Sequence, residues 1–325
     1  MDDNATVALI PIEDHLAACH LEAVAAAVAE SQRPSTRKAY TAAWKRFEAW
    51  ARREGVRSLP AQPLTVAAYL VHRDAVGLSL ASLAMDRKAI SFFHRRAGIP
   101  TPTASQGVKM AIAGVRNRAA ERGGLVRRQA RGLREAELKA ITDTAHIPRV
   151  YPSGRLETLD TARARGALDI SIVSVMRDAL LRRQEAAALR WADVKFHPGG
   201  SSRVTVRRSK TSNRPAVLYV GVRATAALNR IRPDSPIPGA RVFGVRRGRT
   251  ISTRIAAVCR EAGLGEGFSG HSPRVGMAQD LAAHGAGLVA IMNAGRWKSE
   301  RMPAYYSRGQ GAAQGAVARY YGEER

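Results

Sequence analysis

Cysteine is nearly absent: the 325 residues carry two, Cys19 and Cys259, far apart in the chain. So few thiols exclude a disulfide framework and a cysteine-built metal site, leaving two isolated side chains as the plain reading. No apolar run approaches the roughly 20 residues that a membrane-spanning helix needs. The N-terminus has neither the basic start nor the apolar core of a secretory signal, so the expectation is a chain that stays in the cytoplasm. Internal repeats, a Walker A loop, a dinucleotide-binding fingerprint and His-Glu-x-x-His spacing are all missing, and no cofactor or metal is expected. Acidic residues are scarce, with 27 Asp and Glu against 52 Lys and Arg, for a net charge of +25.

That charge is unevenly spread. Residues 1–32 hold six acids (Asp2, Asp3, Glu13, Asp14, Glu22, Glu30) and no Lys or Arg, so all 52 basic residues fall on residues 33–325 and the net charge there is +31. A body this basic attracts polyanions at long range. A generally cationic, solvated surface is the bland alternative. The excess is larger than solubility asks for, and nucleic acid is the expected partner.

Hydrophobic residues make up 45% of the chain, which rules out wholesale disorder, and the length favours two domains. After the acidic, Ala-rich residues 1–32, where 20–31 reads as one helix, an amphipathic helix begins within "RPSTRKAYTAAWKRFEAWARREG" (33–55) with Ser35 as its expected N-cap. Further helices are expected at 63–77, capped by Thr65, at 79–98 and at 103–124. Residues 33–121 thus form a helical bundle of ordinary domain size. "RGGLVRRQARG" (122–132) is rich in Gly and Arg and reads as a linker laid along a phosphate backbone. Residues 133–325 read as a second, mostly α domain, with helices at 133–145, within 162–191, and at 222–232, 251–262, 272–284, 287–295 and 298–306. The exception is "SRVTVRRSKTSNRPAVLYVG" (202–221), two β-rich runs joined by a polar turn, hence a β-hairpin and a small antiparallel sheet.

Two pairs carry chemistry. In "GHSPRVGM" His271 and Arg274 stand three apart at the start of a helix, where backbone N–H groups already favour anions. In "LLRRQEAAALRW" Arg182 and Glu185 have the same spacing among Leu180, Leu181, Ala186 and Leu189, and a half-buried arginine needs a partner or an anion. Alone, the first is surface decoration and the second a structural ion pair.

The order of these residues resembles the tyrosine recombinases, or phage-type integrases. "LLRRQE" offers that family's first arginine with its acidic partner, "RSKTS" the hairpin lysine Lys210, and "GHSPRVGMAQDLAAHGAGLVAIMNAGRW" the His-x-x-Arg and Trp297. A nucleophile nine residues beyond Trp297 is Tyr306; Tyr305 beside it leaves a register ambiguity. The resemblance covers about residues 30–325. It implies an N-terminal SAM-like core-binding bundle and a C-terminal catalytic domain whose end, 307–325, docks on a neighbouring subunit. It also implies a site-specific recombinase that cuts and rejoins double-stranded DNA through a 3′-phosphotyrosine, as a homotetramer with a dimer on each inverted-repeat site, associated with the nucleoid. Arg182, Glu185, Lys210, His271, Arg274, Trp297 and Tyr306 are then the catalytic set, with no metal. Arg254 is the expected guanine reader, and helix 79–98 the major-groove element with Met85, Arg87 and Lys88. Arg37, Lys38, Arg116, Arg118, Arg127, Arg128 and Arg131 are expected on phosphates. Two departures stand out: Pro273 between His271 and Arg274, and Arg296 ahead of Trp297. A type IB topoisomerase-like nicking-closing enzyme and a catalytically silent DNA-binding protein of the same fold remain as alternatives.

Overall fold

Two prolines, rather than the expected hydroxyls, start two of the helices. In the computed structural model, which describes residues 33–123, 129–207 and 214–307, helix α1 spans Pro34–Arg53 with Arg33 in the N-cap position, and α2 spans Pro63–Ala75 behind Gln62. Ser35 and Thr65 therefore lie inside first turns and cap nothing. A proline at the first helical position has its φ preset and lacks an N–H that would otherwise need a partner. Helix α3, Leu80–Arg96, is capped by Ser79, whose hydroxyl accepts from the Ser82 N–H. A 3-10 turn, Pro102–Ala104, precedes α4, Gln106–Glu121, which is capped by Ser105 and so runs shorter than expected at both ends.

These four helices belong to the first of two compact units, residues 1–128, and bury one aromatic-rich core. Trp44, Phe47 and Trp50 of α1 meet Tyr69 of α2 and Ile90 of α3, with Phe47 and Tyr69 rings 5.0 Å apart edge to face. The burial of Asp86 in the middle of α3 was not foreseen. It is fully enclosed and held by Arg46 at 2.9 Å and Arg73 at 3.0 Å. Met85 and Lys88 beside it are exposed and Arg87 is half-buried. His94, also buried, accepts the Ala61 N–H at Nε2 and contacts the Ile90 carbonyl through Nδ1.

The second unit, residues 129–325, is built on α6, Leu159–Asp178. This helix is buried on nearly all sides of its second half, where Ile170, Ile172, Val173, Val175 and Met176 stand among the buried polar residues Asp169, Ser171, Ser174 and Arg177. Around it stand α5 (Glu135–Thr144), α8 (Val222–Arg230) and α10 (Ser272–Ala283). The hairpin is present as β2 (Ser202–Val206) paired antiparallel with β3 (Ala216–Val220) in register Val204↔Leu218. A third strand, β1 (Val194–Phe196), adds to its edge through Val194↔Val204 and completes a three-stranded antiparallel sheet in the order β1-β2-β3. The remaining helices are α7 (Arg183–Ala188), α9 (Gly248–Glu261), α11 (Leu288–Gly295) and α12 (Arg301–Ser307). No helix among the described residues is long and apolar enough to cross a membrane.

The end of the supposed linker is part of this unit. The Arg131 N–H donates to the Gly267 carbonyl, its Nη1 to Leu264 at 2.7 Å, and its guanidinium lies 4.5 Å from the Phe268 ring centroid. Arg131, expected on a phosphate, is thus held on its own domain and remains exposed. At Gly276 a Cβ would come within 1.9 Å of the Leu133 carbonyl oxygen, so only glycine lets residues 131–133 cross α10 this closely. The helix expected at 20–31, Cys19, Arg127, Arg128, the turn carrying Lys210, and the tail after Ser307 lie outside the described residues. Cys259 is fully buried, and burial pushes its thiol up to about 12.

Candidate active site

Four chain segments of the second unit converge: the turn after α6, the start of α7, the start of α10, and the stretch from the end of α11 into α12. The turn after α6 brings Leu180 to φ 43, a left-handed conformation uncommon for a side chain of its size. This bend presents the Leu180 carbonyl to the site and sets Arg182 in the N-cap position of α7. Glu185, one turn on, reaches back: its Oε2 accepts the Arg182 backbone N–H at 2.9 Å and its Oε1 the Arg182 Nη1 at 2.8 Å. The acid thus fixes both the main chain and the guanidinium of Arg182.

Helix α10 begins at Ser272, so His271 is the residue before it and not part of its face. Its carbonyl accepts the Val275 N–H at 3.0 Å, and the residue is exposed. Arg274, one turn in, is 2% exposed and the largest wholly enclosed side chain described. The pair expected to share a helix face is therefore an exposed residue ahead of the helix and an enclosed guanidinium within it. Arg274 Nη1 donates to the Leu180 carbonyl and Nη2 to the Gly295 carbonyl. Its face is covered by Trp297, 4.2 Å from Cζ to the ring centroid. Burial first, and then the neighbouring charges of Arg182 and Arg296, lower its pKa to about 9. A cation enclosed among cations favours an incoming anion.

Trp297 can lie there because residue 295 is glycine: a Cβ at that position would come 1.8 Å from the indole. Trp297 also meets Tyr306 edge to face, ring centroids 5.7 Å apart at 62°. Tyr306 is buried and packs with Val275, Ala278 and Ile291, while Tyr305 is half-buried at the edge of that cluster. The structure therefore brings together Arg182, Glu185, Arg274, Trp297 and Tyr306. Lys210 lies outside the described residues, on the connection between β2 and β3.

One residue noted in the sequence only as a departure belongs to this cluster. Arg296 donates from Nη2 to Glu185 Oε2 at 2.9 Å and to the Leu180 carbonyl at 3.2 Å. The sole sequence signal was an arginine directly before the tryptophan. Glu185 consequently answers two arginines. Burial pushes its carboxyl pKa up, but the Arg182 N–H, the Arg296 charge and the Arg182 guanidinium outweigh burial and hold it below the ordinary value.

The residues expected at bases and phosphates are more dispersed. Arg254 of α9 is half-buried, with Nε donating to Asp169 Oδ1 at 2.7 Å. Arg37, Lys38 and Arg116 are exposed. Arg118 is exposed but ion-paired with the buried Asp74 at 3.3 Å. Among the described residues no three His, Cys, Asp or Glu side chains group as a metal site would.

Comparison with known proteins places this arrangement. The sequence profile of the phage integrase family matches residues 133–311, the segment that holds every member of the cluster. The recombinase Cre of Escherichia phage P1 is 25% identical over 302 residues, covering 84% of this chain and 83% of that protein. An integrase/recombinase XerD homolog of Selenomonas ruminantium is 27% identical over 299 residues, covering 84% and 81%. Among solved structures, the Tn1549 transposon integrase in complex with transposon right end DNA shares the fold. Its TM-score is 0.58 at 11% identity, with 92% of this chain and 99% of that one covered.

Proposed function

The chain belongs to the phage integrase family, and from that premise we propose that it is a site-specific DNA recombinase. It cuts and rejoins double-stranded DNA at inverted-repeat sites through a covalent 3′-phosphotyrosine. The observation that carries the reading is the run of contacts from Arg274 to Trp297 and, edge to face, on to Tyr306, with Arg182 held nearby by Glu185.

A DNA phosphodiester is a stable anion, and attack on it builds further negative charge on its oxygens. Catalysis is then largely positioning and charge stabilisation. Arg182 and Arg274 keep N–H groups beyond those already engaged, and these donate to the non-bridging oxygens. The Tyr306 hydroxyl attacks phosphorus: the Oη–P bond forms and its proton passes to His271. The P–O5′ bond breaks, and O5′ leaves with the electron pair and takes a proton from Lys210. The ester linkage to Tyr306 keeps the phosphate activated, so the 5′ hydroxyl of another strand reverses the step and rejoins DNA without ATP. Exchange between two sites needs four such centres, hence a homotetramer, with residues 307–325 as the docking tail between subunits. Arg254 reads a guanine, α3 lies in a major groove, and the net charge of +31 on residues 33–325 supplies the phosphate attraction.

The test is to select bound duplexes from a random pool, sequence them, and place two copies of the recovered site on one plasmid. The expected result is an inverted repeat and recombinant products formed in the presence of a chelator and without ATP. Relaxation of supercoiled DNA that lacks the site would make the protein a nicking-closing enzyme. Binding with neither cleavage nor exchange would make it a DNA-binding member of the family.

A further inference from the structure

Three guanidinium groups meet at the site, and the mechanism above uses two. Arg296 is the third. Its backbone stands at φ 56, ψ 45, the left-handed region where glycine is at ease and a Cβ is not. Among the described residues only Leu180 and Arg296 are non-glycine residues at positive φ, and the two meet: the Leu180 carbonyl accepts from Arg296 Nη2 as well as from Arg274 Nη1. Strained backbone retained at two contacting positions points to a use for the side chains held there.

The side chain is as unfavourably placed as the backbone. It is 14% exposed, and its Nε and Nη1 are buried with no hydrogen-bond partner. Burial holds the group below the ordinary arginine range despite the Glu185 carboxylate. An arginine serving stability alone would have its N–H groups matched. What it does hold is Glu185 Oε2, on the carboxylate that also fixes Arg182.

Resting on the recombinase reading, we propose that Arg296 is a positioning residue for DNA cleavage. It clamps Glu185 against Arg182 and shares the Leu180 carbonyl with Arg274, so that the two phosphate-binding guanidinium groups hold one geometry before DNA arrives. Its unmatched Nε–H and Nη1–H add positive charge at the phosphate's seat that Glu185 does not cancel.

The test compares the parent chain with Arg296→Gly and Arg296→Lys on a nicked duplex that traps the covalent adduct. Glycine suits a positive φ, so R296G should melt no lower than the parent. Its DNA affinity should stay within about two-fold, while the single-turnover rate of adduct formation falls roughly ten-fold or more, as misplaced catalytic groups do. The acid limb of its pH–rate profile should move to higher pH, because a carboxylate relieved of one cation takes up a proton more readily. R296K, which keeps the charge and loses the fork, should restore the acid limb and part of the rate. Cleavage by R296G at the parent's rate and pH dependence overturns the proposal. So does a rate loss that merely follows a lower melting temperature. Absence of an adduct with the parent chain itself overturns the recombinase reading, and this inference with it.

Discussion

The indole of Trp297 covers the guanidinium face of Arg274 at 4.2 Å, and the two Nη atoms of that guanidinium are tied to the Leu180 and Gly295 carbonyls. Face and edges are both constrained, so the guanidinium is held in one orientation. Trp297→Ala removes the cover and should slow adduct formation far more than it weakens DNA binding. Trp297→Phe keeps a ring over the cation, with an attraction of about 0.5–2 kcal/mol, and should retain most of the rate. Single-turnover cleavage of a nicked duplex checks both.

Glu185 links folding to pH. Its folded-state pKa lies below its unfolded value, so its contribution to stability is complete above the ordinary carboxylate pKa of about 4.3 and is lost as pH falls through the folded value. Glu185→Gln leaves Arg182 and Arg296 half-buried without an anion and should destabilise the second unit by roughly 3–5 kcal/mol at neutral pH. Denaturant unfolding at pH 7 and pH 4 should show that gap narrowing in acid.

Gly295→Ala tests the tryptophan's seat from the other side. The added methyl would meet the indole at 1.8 Å, so ring or helix end must move. The expected cost is about 1–3 kcal/mol, with a changed tryptophan emission spectrum and a cleavage defect like that of Trp297→Ala.

Under the proposed function Arg254 reads sequence and Asp169 aims it. The carboxylate holds Arg254 Nε at 2.7 Å and the Arg165 carbonyl accepts from Nη2 at 3.4 Å, so Nη1 is the group offered to a base. Arg254→Ala should relax discrimination at one base pair by about 1–3 kcal/mol, and Asp169→Asn should weaken discrimination at that same position. Binding measured across single-base variants of the selected site separates this from a uniform phosphate contribution.

The sequence made much of this legible where the signal is local. The helices of the first unit follow from apolar spacing around Trp44, Phe47 and Trp50, and the hairpin from its alternating runs. Strand β1 was missed because three residues, Val194–Phe196, carry no pattern of their own and become a strand only by pairing with β2. The partners of Asp86 and Arg131 were not legible for a related reason. A charge reads as solvated until the fold supplies Arg46 and Arg73 to one and Phe268 to the other. Arg296 was visible as an oddity beside Trp297, but its role depends on a carboxylate 111 residues away.

In the proposed reaction the Tyr306 oxygen becomes bonded to the DNA backbone. A duplex nicked next to the scissile phosphate lets the short 5′-hydroxyl fragment diffuse away after cleavage, so the adduct persists and can be digested and sequenced by mass spectrometry. The account predicts a nucleotide on Tyr306, lost in Tyr306→Phe and kept in Tyr305→Phe. A nucleotide on Tyr305, or no attachment to any residue of a chain that binds the duplex, contradicts it.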